Sequence, residues 1–174
     1  MPIIEDRRAV AARLAGATEL RDIQVFRINA ELTKQPDHRR RLRYGMSTDL
    51  AATQVDDEMV LAVESTTTVE MWQSADPPED EPAVAEETEE RTEVASVTIV
   101  MGTLFSVGGA EFDYSDEELK AFAETTAQFA MYPFLRQQVH DLTSRLGLPA
   151  LVLPMLKIGL DPEEVTEALE KRHG

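Results

Sequence analysis

The stretch 114–156 limits what this chain can fold into more than any other part of it. Ser115 suits a helix N-cap and Glu118 stands three residues on, so the two side chains can accept from each other's exposed backbone N–H groups. Leu119, Phe122, Thr126, Phe129 and Ala130, then Leu135, Val139, Leu142 and Leu146, recur at helical spacing, which predicts helix over 115–146 with one face in need of a partner surface. Pro133 lacks an N–H and clashes with the preceding turn, so a kink, or the start of a second half, is expected there. Gly147 suits a left-handed C-cap and Pro149 cannot continue the helix. The residues that follow are too apolar for an ordinary surface loop and too proline-rich for a helix, which gives an extended apolar crossover over 147–160 that covers or receives something. Leu151 and Leu153, two apart between Pro149 and Pro154, should point to one side and Val152 to the other. Whether the leucines line a groove or close the core is open at this point.

Upstream the periodicity is that of strands. Val10, Leu14 and Ala17, with Ile3, make one face of a short amphipathic helix over 3–17. Phe26, Ile28, Ala30 and Leu32 then alternate with polar residues, the mark of a strand with one wet face. Residues 34–41, with Pro36-Asp37, read as the turn into a second strand, which carries Leu42, Tyr44, Met46, Thr48 and Leu50 on one face and Arg43, Gly45, Ser47 and Asp49 on the other. Alternation from Met59 to Met71 and from Ala95 to Val107 supplies two more strands. Between them, 74–93 is acidic, proline-bearing and nearly without large apolar residues; it reads as a mobile hairpin insertion. Asp161-Pro162-Glu163-Glu164 opens a terminal helix over 161–171. The expectation is one α+β domain spanning 1–174, a four-stranded antiparallel sheet covered on one face by the long C-terminal helix.

Charge and chemistry narrow the function. The formal net charge of −16 opposes general nucleic-acid or anionic-membrane binding, and His38-Arg39-Arg40-Arg41 with Arg43 reads as a solvated turn. Cysteine is absent, so neither disulfides nor thiolate metal sites exist. No run reaches the length of a membrane span and the N-terminus has no signal-peptide pattern, so a cytoplasmic protein is expected. His140-Asp141 is the one adjacent His and carboxylate, but consecutive helix residues diverge by about 100° and form no relay. With no metal, phosphate-loop or dinucleotide motif, no enzyme and no cofactor are expected.

The run Ala130-Met131-Tyr132-Pro133-Phe134-Leu135-Arg136, followed by Asp141-Leu142, Arg145, Gly147-Leu148-Pro149, Leu151, Leu153 and Pro154, resembles the helix-and-crossover signature of SecB-type chaperones. Gly102-Thr103-Leu104-Phe105-Ser106-Val107-Gly108 resembles the glycine-flanked last strand before that helix. The resemblance implies an ATP-independent holdase, assembled as a homotetramer, that binds unfolded clients in grooves between sheet, long helix and crossover. Carried onto this chain, the client contacts are Leu148, Leu151, Leu153, Met155 and Leu156, with Tyr44 and Met46 of the second strand. Two client classes occur in such a family: secretory precursors passed to the SecA motor, and the antitoxin of a toxin-antitoxin pair. Asp22 resembles one acidic SecA-docking position, but Phe26 stands where its acidic companion is expected, and after the crossover Met155-Leu156-Lys157-Ile158 replaces the export pattern. The N-terminal helix, Leu20-Arg21-Asp22-Ile23 and Phe129-Ala130-Met131-Tyr132-Pro133 look closer to the antitoxin-dedicated type. A non-chaperone module that docks a folded partner is the alternative of another class.

Overall fold

A computed structural model describes residues 4–55, 59–74, 91–108 and 114–156. Its elements are α1 (Ile4–Ala17), β1 (Thr18–Leu32), β2 (Leu42–Val55), β3 (Val60–Ser74), β4 (Arg91–Val107), α2 (Asp116–Phe122), a π-helical turn (Ala123–Ala127) and α3 (Gln128–Arg145). The strands form one four-stranded sheet in the order β1-β4-β3-β2, antiparallel throughout. This is the α+β architecture expected from the strand and helix periodicities.

The core lies between one face of the sheet and the helices. Leu61, Val63, Val69 and Met71 of β3 and Val97, Ile99, Met101 and Phe105 of β4 are buried, at the period of two that a half-buried strand requires. Phe122 of α2 meets them with its ring edge-on to Phe105 at 5.0 Å between centroids. Within the sheet the two central strands supply the buried apolar residues; the edge strands are only partly covered.

The Ser115–Glu118 capping box forms as its spacing predicts. Arg13 of α1 reaches across to the same carboxylate, Nε to Oε1 at 2.8 Å and Nη2 to Oε2 at 2.9 Å, and its guanidinium lies 4.5 Å over the Tyr114 ring. Hydrogen bonds from Arg13 first, then from the Ser115 N–H, hold the Glu118 carboxyl down from an ordinary 4.5 to about 2. Buried Ala11 and Leu14 complete the joint between α1 and α2.

Four readings change. Residues 34–41 do not join neighbouring strands: β1 and β2 lie at opposite edges, so this connection crosses the end of the sheet. Gln73 holds it there, its Nε2 donating to the carbonyls of Asp37 and Arg40 at 2.8 and 3.1 Å while its Oε1 accepts from Asp37 N at 2.9 Å. Phe26 does not share a face with Ile28. Bulges between Leu20 and Asp22 and between Val25 and Arg27 reset the alternation, and Phe26 lies across the outer face above Gly102, where a Cβ would come within 2.4 Å of its ring. Helical bonding departs from α at Ala123–Ala127, where Gln128 N–H bonds the Ala123 carbonyl five residues back, and Pro133 sits inside the continuous α3. Thr125 Oγ1 donates to the Ala121 carbonyl at 2.7 Å, a back-bond that loosens a helix at this kind of site. Finally, Ser74 belongs to β3 and Arg91–Glu93 to β4, which shortens the acidic insertion; the rest of it, and the terminal helix expected over 161–171, lie outside the described residues. Among the described residues no helix is long and apolar enough to cross a membrane.

Candidate functional site

α3 ends in a Schellman cap: Gly147 has φ +75°, its N–H bonds the Ser144 carbonyl at 3.1 Å, and Leu148 N–H bonds the Thr143 carbonyl at 3.0 Å. A glycine suits this left-handed turn, which reverses the chain and lays 148–156 back along the helix it has just left.

Three α3 side chains then hold that segment by its backbone. Thr143 is fully buried; its hydroxyl accepts from Leu151 N–H at 3.0 Å and donates to the Val139 carbonyl at 2.9 Å. Arg136 Nε donates to the Leu153 carbonyl at 2.8 Å, and its Nη1 lies 3.1 Å from Met155 Sδ. Tyr132 O–H donates to the Pro154 carbonyl at 2.6 Å. Burial raises the pKa of this phenol, Arg136 opposes the rise and Tyr44 adds to it, so the hydroxyl stays a donor at neutral pH. Tyr132, Arg136 and Thr143 follow a spacing of four and seven, which puts them on one stripe of α3. Sequence reasoning missed them as a set; the available signal was three polar groups on a helix face otherwise apolar.

From Leu151 to Leu153 the crossover side chains divide as the spacing of two requires, but Met155, two beyond Leu153, breaks the alternation and is exposed. Leu153 is fully buried and Leu148 nearly so, both in the core, while Leu151 and Leu156 are half-buried against it. Val152 (62% exposed) and Met155 (71% exposed) face solvent, as does Phe134 of α3 at 49%. Val152 and Phe134 were not among the client contacts expected from sequence.

Tyr44 and Met46 lie on the helix-facing row of β2, opposite Met71 and Val69 of β3, and are 37% and 39% exposed because β2 is the sheet edge. Farther along β2, Thr48, Leu50 and Ala52 face α2 and the π turn across a cavity of about 540 Å³, with Asp49, Asp116 and Glu124 among its walls. The helix side of β2 is thus a groove, open toward the sheet edge.

Asp22 lies on the other face. Its carboxylate accepts from Ile23 N–H and from Gln24 Nε2, and with Phe26, Glu64 and Leu104 it lines a cavity of about 330 Å³. The structure therefore separates Asp22 from Tyr44, Met46 and the crossover. His140 and Asp141, 3.4 Å apart on the helix surface, are both about half exposed and, among the described residues, hold no third partner that would make a relay. Among the described residues no group of three carboxylates, histidines or cysteines is placed to hold a metal.

No protein-family profile matches the chain. It is 31% identical over 153 residues to the SecB-like chaperone Rv1957 of Mycobacterium tuberculosis strain H37Rv, a match that covers 87% of this chain and 84% of the relative. The SecB-like chaperone MT2006 of strain CDC 1551 matches to the same extent. The structure of the Rv1957 chaperone in complex with a ChAD peptide from the Rv1956 HigA1 antitoxin superposes with a TM-score of 0.72 at 29% identity, over 87% of this chain and 99% of that one.

Proposed function

The chain belongs to the SecB-like chaperone family, and from that premise we propose that it is a polypeptide holdase dedicated to the antitoxin of a toxin-antitoxin system. The observation that carries this reading is the backbone clamp on the crossover. Tyr132, Arg136 and Thr143 bind its carbonyls and an N–H, so the side chains of Val152 and Met155 stand in solvent without the segment coming loose. Exposed apolar groups on a fixed frame, beside half-exposed Tyr44 and Met46, are what a receptor for unfolded apolar segments needs. Leu151 and Leu156 form its floor, and Leu148 and Leu153 anchor that floor to the core. The mechanism requires no catalytic residue and no nucleotide: burial of client side chains at roughly 25 cal/mol per Å² supplies the affinity.

The antitoxin reading is preferred to export because the relative of known structure was solved with an antitoxin peptide, and because Phe26 stands on β1 at the position where an acidic companion of Asp22 is expected. A homotetramer accompanies it. Leu20, Val25 and Ile28 of β1 pair with buried Phe105, Met101 and Ile99, so they share the core-facing side of the sheet, yet each is about 40% exposed and needs cover. Suppression of antitoxin aggregation without ATP, together with capture of an antitoxin peptide, tests the reading. A protein that protects neither the antitoxin nor a generic unfolded protein would overturn it, and a monomer mass by light scattering at micromolar concentration would remove the tetramer.

A further inference from the structure

Cysteine is absent from this chain, so its reactive sulfur is all in methionine, and among the described residues the fold sorts the methionines sharply by access. Met71, Met101 and Met131 are buried in the core. Met46 and Met59 are a little over a third exposed, and Met155 stands 71% in solvent. Its sulfur is nevertheless held in place. Arg136 Nη1 lies 3.1 Å from Sδ, while Nε of the same guanidinium holds the Leu153 carbonyl and the Tyr132 hydroxyl holds that of Pro154. A thioether is a weak acceptor. One of its two lone pairs serves the guanidinium and the other is free to meet an electrophile.

We propose that Met155 is a site of reversible oxidation by a peroxide, and that its oxidation loosens the hold on the client, an inference that rests on the chaperone reading above. The free lone pair attacks one oxygen of hydrogen peroxide; the S–O bond forms as the O–O bond breaks, and the proton on the transferred oxygen passes to the departing hydroxide, which leaves as water. Sulfur is oxidised by two electrons and the peroxide is reduced by the same two. The product, a sulfoxide, is polar and chiral where the thioether was apolar. After a turn about the Cγ–Sδ bond its oxygen offers Arg136 a better partner than the sulfur did, so the crossover keeps its frame. On the solvent side an apolar contact becomes a hydrated dipole, and a client side chain laid there must strip water from it. The core methionines are shielded, so the same peroxide leaves the packing intact. Oxidation thus weakens binding without unfolding the protein, and methionine sulfoxide reductases, one for each sulfoxide epimer, reverse it.

The test treats the intact protein with dilute hydrogen peroxide, locates the added oxygen by peptide mass mapping, and measures the melting temperature and the binding of reduced, carboxymethylated α-lactalbumin, a permanently unfolded protein. Met155 should gain oxygen before Met46 and Met59, with the melting temperature nearly unchanged and affinity falling roughly tenfold in step with Met155 oxidation. The two reductases together should restore it. Met155→Leu should bind as the native protein does and keep its affinity after peroxide, while Met155→Gln should bind weakly with no peroxide at all. Oxidation that reaches Met46 or Met59 first, a melting temperature that falls with the affinity, or an affinity that survives Met155 oxidation or falls equally in Met155→Leu overturns the switch and leaves the holdase standing. Absence of binding by the untreated protein overturns both.

Discussion

Replacing Leu153 by Ala, beside Val152 by Ala, tests the two-sidedness of the crossover. Leu153 is fully buried in the core while its carbonyl is held by Arg136, so truncation removes side-chain packing and leaves the backbone clamp in place. A buried Leu→Ala change costs about 2 to 5 kcal/mol, the spread depending on how far the neighbours collapse into the space. Val152 is 62% exposed, so its loss should cost about 1 kcal/mol or less, since full burial of such a side chain is worth about 1.5 to 3 kcal/mol. In a chain of this size each kcal/mol moves the melting temperature by roughly 2 to 4 °C, so thermal unfolding by circular dichroism should show a drop of roughly 4 to 20 °C for Leu153→Ala and a few degrees at most for Val152→Ala. Client affinity should show the reverse order, falling more in Val152→Ala than in Leu153→Ala. Equal melting temperatures for the two variants would refute the argument, because they would mean that adjacent residues of the segment bury equally.

The Glu118 carboxyl has a folded pKa of about 2 against an ordinary 4.5, so its stabilising share is complete above about pH 5 and is lost as pH falls through about 2; comparing the native protein with Arg13→Gln by denaturant unfolding should show a difference that shrinks toward pH 2, and a difference independent of pH would count against the Arg13–Glu118 pairing. Gly102→Ala places a Cβ where the Phe26 ring lies, but that ring is 58% exposed and can swing aside; stability should change by less than about 1 kcal/mol while the Phe26 ring resonances shift, and a larger loss would show that the ring is locked in place.

The parts of this fold that follow a simple period could be read in advance. Alternation from Met59 to Met71 and from Ala95 to Val107 predicts the two central strands because the pairing of Val60–Met71 with Ala95–Ser106 has no register shift, the one irregularity falling beyond it between Met71 and Trp72. β1 failed the same test. With an extra residue at each bulge, Leu20, Ile23, Val25 and Ile28 share a face at steps of three, two and three, and no strand template contains that series. Strand order was also hidden, since the Pro36-Asp37 turn reveals a change of direction but not how far sideways the chain travels before pairing. At the crossover, period two put Leu151 and Leu153 together. Which side they take depends on Thr143, a hydroxyl on a buried stripe whose partner, the Leu151 N–H, stands eight residues away. The capping box was legible because both of its hydrogen bonds are local.

The π turn acts as a phase shifter for everything that follows it. Leu119, Ala123, Ala127, Met131, Leu135 and Val139 are all buried at steps of four. On an ideal α-helix such a row drifts by about 40° at each step and would wind off the sheet well before Val139. One wide turn absorbs an extra residue, roughly 100° of rotation, and brings the row back. Deleting a single residue from Ala123–Ala127 would restore ordinary bonding and rotate the whole of α3, carrying Tyr132 and Arg136 away from the carbonyls they hold. The number of residues in this turn is thus constrained more tightly than their identities, and a one-residue gap there amounts to a change of orientation at a site it never touches.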